Sequence, residues 1–298
     1  MPPPILPLLW MLASDRLTRN PMERVPEPTS EMDETENVEA FHAQGSESGP
    51  LLPIYHFNAL ATSCLLPPGG MMVDLGSGSA QYLAYLATAR PDISIIGLEL
   101  ADSMIAVGRR MLDERGLADR VELRQADMRS FNTALPEKVD GISSVFALHH
   151  LPGRADLRQC IEQIATRQRT DNCAVWLFDH APPRNPRTAE RFPELFTPQA
   201  PPFFRQDSCN SLKAAFGFDV LTADLQSAGL SLQHSLAHWL PFYQTHWTLR
   251  PAGEITSASR HWRAPPLPQS AASDFTALLK LFPAVRGLLK KAADNRFI

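Results

Sequence analysis

Three carboxylates and two pairs of strand-end residues carry the chemistry that this sequence offers. Asp74, Glu99 and Asp127 each stand at or near the end of a short strand-like run, in MMVDL, ISIIGLEL and VELRQADM. Gly76 and Gly78 follow the first of these in DLGSGSA, and the later runs VFALHH and WLFDH bring His149, His150, Asp179 and His180. Glycine lets a backbone turn sharply and approach a ligand closely. Carboxylates accept hydrogen bonds from hydroxyl, amino or ammonium groups, and histidine, with an ordinary pKa near 6.5, accepts a proton at neutral pH. The pattern describes a polar ligand held by carboxylates beside groups able to move a proton.

Such residues work together only if the chain brings the ends of these runs to one edge. Between them lie helical patterns: SAQYLAYLATAR, ADSMIAVGRRMLDERGL and RADLRQCIEQIATRQR. Strands alternating with helices predict an α/β fold, a doubly wound Rossmann-like sheet. Ligands of such sheets bind beyond the carboxyl ends of the strands, and the helix after the glycines points its free N–H groups there. Glu99 lies roughly 20 residues past the glycines, where a carboxylate accepts both hydroxyls of a ribose. Asp127 can accept from an adenine amino group. A nicotinamide dinucleotide suits this loop poorly: Ala80 and Gln81 supply no third glycine in register, and Asp74 would face a pyrophosphate. An ammonium group suits Asp74, and S-adenosylmethionine carries an ammonium, a ribose and an adenine in that order.

The runs VDLGSGSA, IIGLEL, RVELRQADMRSF and DGISSVFALHHLP resemble the successive motifs of class I S-adenosylmethionine-dependent methyltransferases. ALHHL is similar to the small-molecule branch that includes the ubiquinone/menaquinone-biosynthesis type. The resemblance is good over residues 51–180 and in outline over 210–250. There it implies a mostly parallel sheet closed by an antiparallel C-terminal hairpin. It also implies roles: Gly76 and Gly78 line the methionine part, Asp74 holds its amino group, and Glu99 binds the ribose. Leu100 and Met104 pack on adenine, Asp127 and the Met128 N–H bind its polar edge, and Phe146 is a further cofactor-binding candidate. Ala80 departs from the family's frequent third glycine, and Glu99 replaces the commoner aspartate.

Methyl transfer from a sulfonium needs alignment and, for some acceptors, removal of a proton. His149, His150, Asp179 and His180 are the candidate catalytic residues, since strands four and five end on the side where the methyl group would point. The Pro-rich excursion over 181–210 is expected to wall the acceptor pocket, as long loops in compact domains usually serve function. Phe203, Phe204, Arg205 and Asn210 are its candidate substrate-binding residues, with Tyr55 and His56 from the helix before the first strand. No NPPY-type tetrad follows strand four and no zinc spacing occurs, so no metal is expected.

The net charge of −4 supplies no surplus of cations for nucleic acid. Residues 1–50 are Pro-rich and then acidic, and read as a mobile segment. Residues 51–252 form the methyltransferase-like domain. Residues 253–298 form a tail with a basic amphipathic helix, kinked at Pro283, expected to dock on its own domain or on a second subunit of a homodimer rather than on a membrane. Cys64, Cys160, Cys173 and Cys209 show no pairing motif and fit plain burial in a reducing compartment. With neither a secretory signal nor a spanning segment recognisable, a cytoplasmic enzyme acting on a small molecule is expected. The competing readings are a silent cofactor- or partner-binding protein, a nicotinamide oxidoreductase and a macromolecule methyltransferase.

Overall fold

The computed structural model describes residues 3–28, 45, 49–135 and 138–292. Its centre is a seven-stranded sheet, β1 Met71–Leu75, β2 Ser94–Glu99, β3 Val121–Gln125, β4 Gly141–Val145, β5 Ala174–His180, β6 Leu232–Leu236 and β7 Tyr243–Thr248. The spatial order is β3-β2-β1-β4-β5-β7-β6; β1 to β5 run parallel, and β7 pairs antiparallel with both β5 and β6. The sheet reverses its winding between β1 and β4, and a ligand crevice opens at such a point. The doubly wound sheet and its closing hairpin are as expected from the sequence.

The helices around the sheet are α2 Leu52–Leu65, α3 Gln81–Ala89, α4 Asp102–Glu114, α5 Arg154–Asp171 and α8 Phe218–Ser227; α1 Ile5–Leu17 precedes them, and α6 Pro186–Phe196 and α7 Pro202–Ala214 lie between β5 and α8. The inner strands bury both faces, because alternate side chains meet helices on opposite sides. On β5, Trp176 and Phe178 pack with α2 and α3, while Val175 and Leu177 pack with α5 and α8. The indole N–H of Trp176 donates to Asn58 Oδ1 at 2.8 Å, so α2 satisfies the one polar atom that this ring buries.

Three expectations change. Residues 3–28, read as part of a mobile segment, form α1 and an extended strap over 18–28 that lies on the domain; composition misses this because the strap is held by hydrogen bonds rather than by apolar area. Met22 N–H donates to Arg184 O at 2.9 Å and Val25 N–H to Lys213 O at 3.0 Å. The rest of the acidic stretch lies outside the described residues, apart from residue 45 and residues from 49 on. The excursion over 181–210 is mostly helical, because Pro186 and Pro202 occupy first-turn positions where a missing N–H costs nothing. After it, α7 and α8 are parted by Ala215–Gly217. The tail is α9 Ala252–Ser259, α10 Gln269–Leu281 and α11 Pro283–Ala292: Pro283 starts a helix instead of kinking one, and Phe275, Leu279, Phe282 and Val285 are buried in the same core as α2. The four cysteines are buried and unpaired.

One polar clamp sits inside this apolar face. Arg90 is fully buried and donates to both Asp92 oxygens at 2.7 and 2.8 Å, to Ser63 O at 2.8 Å and to Pro67 O at 3.2 Å. It ties the end of α3 to the end of α2, ahead of β1. Removing it leaves buried carbonyls without donors, a loss on the order of 3 kcal/mol. Arg90→Met should therefore melt roughly 5 °C or more below the parent in a thermal scan. An unchanged melting temperature would show that these carbonyls find other donors.

Candidate functional site

The glycine loop after β1 is built for close approach. Gly76 has φ +72° and Gly78 φ +52°, and a Cβ placed on Gly76 would stand 2.4 Å from the Ala147 side chain. The loop thus touches the turn after β4. Ala80, at the position where the family often has its third glycine, adopts φ +60° itself. Its methyl tolerates a conformation that glycine takes at no steric cost.

The three strand-end carboxylates reach this edge in different states. Glu99 accepts from the Gly78 N–H at 2.8 Å and, through its other oxygen, from Leu100 N–H at 2.8 Å and Ala101 N–H at 3.0 Å. It binds the glycine loop to the start of α4. Asp74 is buried and accepts from Ser143 Oγ at 2.5 Å. Asp127 is clasped by Arg129, at 2.6–3.0 Å to both of its oxygens, and Arg129 also reaches Asp156 at 2.7 Å. Leu100 is exposed at 61%, Met104 is buried beside Val107, and Met128 is half-buried near Gly76.

On the other side of β1, the ends of β4 and β5 form a histidine cluster. Phe146 has φ +56°, a strained conformation for an aromatic residue, and its ring stacks on His180 with centroids 4.5 Å apart. This turn swings the following 3-10 turn, Leu148–His150, back over β5. His149 Nδ1 lies 2.5 Å from Asp179 Oδ1, and its own N–H donates to Asp179 Oδ2 at 3.0 Å. An ionised Asp179 only accepts, so Nδ1 carries a proton and Nε2 points away from Asp179. Burial opposes the charge on Asp179, but His149, and then His180, outweigh it and hold the carboxyl below its ordinary value. His180 is the contrasting case: burial first, then His149, pushes it down to about 3, and its buried Nδ1 has no partner.

The strap completes the cluster with two residues that sequence reasoning did not single out. Arg24 donates to the carbonyls of His149 at 2.9 Å, Leu151 at 2.5 Å, Pro152 at 2.8 Å and Ala214 at 2.5 Å, and lies over the Phe216 ring at 4.0 Å. Glu27 contacts His150 Nδ1 directly, accepts from Ser211 Oγ at 2.7 Å and lies 3.7 Å from His149 Nε2. Burial opposes the charge on both His150 and Glu27, but their mutual attraction outweighs it. His150 rises to about 9 and Glu27 falls to about 2. The only signal in the sequence was an Arg and a Glu three residues apart in a Pro-rich stretch, which is no motif.

The expected acceptor-side residues scatter. Tyr55 is buried near Asp74, whose charge it senses, and packs against Tyr82. His56 lies elsewhere: it meets Tyr85 Oη at 2.7 Å and packs on Trp262 and Phe275 of the tail, so burial pushes it down to about 4. Phe204 is buried and Phe203 half-buried in α7; Arg205 donates to Pro198 O, and Asn210 accepts from Gln206. From this helix it is Ser211 that touches the cluster.

Residues 72–171 match the family model described as a methyltransferase domain. The chain carries a methyltransferase domain. Its fold is the one expected from the motif order, that of class I S-adenosylmethionine-dependent methyltransferases. Among solved structures, it resembles an S-adenosylmethionine-dependent methyltransferase from Aquifex aeolicus, with TM-score 0.50 and 13% identity over 72% of this chain and 97% of that one. It also resembles an O-methyltransferase family protein from Burkholderia thailandensis, with TM-score 0.52 and 13% identity over 82% of this chain and 69% of that one. These likenesses are likenesses of fold. No helix among the described residues is long and apolar enough to cross a membrane.

The residues present fit the methyltransferase cofactor. The loop leaves no room for a Cβ at Gly76, and the buried Ser77 Oγ beside it has no partner. Asp74 is a carboxyl waiting for a cation: burial raises it to about 8, against the Ser143 hydrogen bond and with help from the charge of Glu99. Its ordinary value is 3.8. Between these two values the folded chain holds a proton that the unfolded chain has released. The stabilising share of this group is therefore complete at low pH and is lost as pH rises toward 8. The melting temperature of the ligand-free protein should fall from pH 5 to pH 8 more steeply than that of Asp74→Asn. Parallel slopes would mean that Asp74 ionises normally in the fold.

Proposed function

We propose that this protein methylates a small acceptor bearing an ionisable O–H or N–H, at the ends of β4 and β5, with His149 as the proton acceptor. One observation carries the reading: Asp179 fixes the imidazole of His149 through Nδ1, leaving Nε2 on the opposite side, on a turn that touches the cofactor loop through Ala147 and Gly76. The cofactor supplies a methyl group on a positively charged sulfur, which leaves as a neutral thioether. Asp74, Gly76, Gly78 and Glu99 would hold it, with Leu100, Met104 and Met128 against its base. Asp127 would serve the base only on exchanging part of its Arg129 contact.

The residues of the acceptor side divide the remaining work. His149 Nε2 takes the proton that the acceptor loses, and the Asp179 carboxylate stabilises the imidazolium so formed, as in other His–Asp pairs. His180, neutral and stacked on Phe146, contributes shape and a buried ring nitrogen rather than basicity. His150, charged beside Glu27, favours an acceptor with anionic character. The O-methyltransferase family fold from Burkholderia thailandensis accords with an oxygen acceptor. The acidic net charge disfavours a nucleic acid. A cytoplasmic setting suits four unpaired cysteines.

Two measurements test the halves separately. Glu99→Ala should weaken cofactor binding in calorimetry at least about tenfold, because a carboxylate–diol contact makes charge-assisted hydrogen bonds. An unchanged dissociation constant would move the ribose elsewhere. Once an acceptor is found by screening, His149→Ala should lower turnover about 10²–10⁴-fold while cofactor affinity stays nearly constant. A His149→Ala enzyme with full turnover would leave alignment alone as the source of rate.

A further inference from the structure

We propose that Glu27, His149 and His150 form a binding site for a divalent transition-metal ion, with Zn²⁺ the best-suited probe, closed by the N-terminal strap. Each residue offers one ligand atom, and the three atoms lie within 4.8 Å of one another. Bonds of about 2.0–2.2 Å from carboxylate oxygen and imidazole nitrogen to zinc place neighbouring ligand atoms about 3.3 Å apart. His149 Nε2 and Glu27 Oε1 are already 3.7 Å apart. The direct contact between Glu27 and His150 would open slightly to admit the ion. Two imidazoles and one carboxylate suit zinc and its neighbours in the first transition row better than magnesium or calcium, which prefer oxygen.

The surroundings have the features of a prepared site. Ligand histidines usually donate their second ring N–H to a carboxylate, which fixes the tautomer and the ring. Asp179 does this for His149 at 2.5 Å. Ser211 Oγ donates to Glu27 at 2.7 Å and orients the carboxylate. Arg24, three residues earlier, holds the strap to four backbone carbonyls, so the Glu27 ligand comes from an anchored segment. Entry is available on one side: the side chain of His150 is 37% exposed, against 2% for His149 and 11% for Glu27. The ion would use the Nε2 lone pair that methyl transfer needs. That the loaded protein is a resting form is the part of the inference that rests on the function proposed above.

The test uses the full chain, metal-free, without donor or acceptor. Calorimetric titration with Zn²⁺ should show one saturable equivalent, and Co²⁺ at the same site should give the visible absorption of a four- or five-coordinate ion. Glu27→Gln and His150→Ala should each weaken zinc binding at least about tenfold, and Asp179→Asn about 10–100-fold. Ser211→Ala, which removes no ligand, should weaken it less and guards against a folding defect in Asp179→Asn. His234→Ala should leave it unchanged, which excludes the separate His234–His246 pair as the source. No saturable zinc binding, or wild-type affinity in Glu27→Gln, overturns the site. Either result leaves the methyl-transfer reading standing, because a free His149 still serves as a base. Loss of rate in His149→Ala without any zinc effect separates the two in the other direction.

Discussion

The functional edge of this molecule depends on how one buried carboxylate is satisfied. Asp179, 4% exposed, ends β5 and receives three donors: the ring and backbone N–H of His149 and the backbone N–H of His180. An ionised group this deep is costly unless every lone pair is used. Satisfying it requires the turn after β4 to fold back over β5, which is why Phe146 accepts a left-handed backbone. The same turn presses Ala147 against Gly76 and so brings the cofactor loop into register with the histidines. The backbone strain at Phe146, the missing Cβ at Gly76 and the tautomer of His149 are consequences of one electrostatic demand.

Much of this was legible in the sequence, and for identifiable reasons. The strands announce themselves as apolar runs punctuated by glycine, and the carboxylates at their ends repeat with the period of a strand–helix unit. The parallel order places His149 and Asp179 at the ends of adjacent strands without further information. The actual partner choices were not legible. Asp127 and Arg129 look like independent residues two apart until the strand ends and both point the same way. His56 looks like a substrate-binding residue because it precedes β1, but the face of α2 on which it lies is covered by a tail whose docking depends on tertiary packing. The excursion over 181–210 reads as loop because prolines are usually breakers, although two of them sit where a helix starts.

The strap was the largest omission. Its composition is that of a chain unable to bury apolar area, and that inference is sound as far as it goes. The strap is held by another currency: one guanidinium answering four carbonyls at the ends of the Leu148–His150 turn and α7, and one carboxylate between a histidine and a serine. Hydrogen-bonded straps of this kind leave no hydrophobic period behind them. Only the positions of their partners reveal them.

Those partners impose an order on synthesis. Arg24 leaves the ribosome long before the carbonyls it holds, which lie 125 residues further on at His149 and 190 further on at Ala214. The segment must wait, solvated and unstructured by its own sequence, while β1 to β5 assemble behind it. Its Pro-rich and polar character suits that interval, because such a chain neither aggregates nor commits to a wrong pairing. Closure over the histidines is therefore a late event of folding, coming after the sheet that it covers has reached β5 and α7.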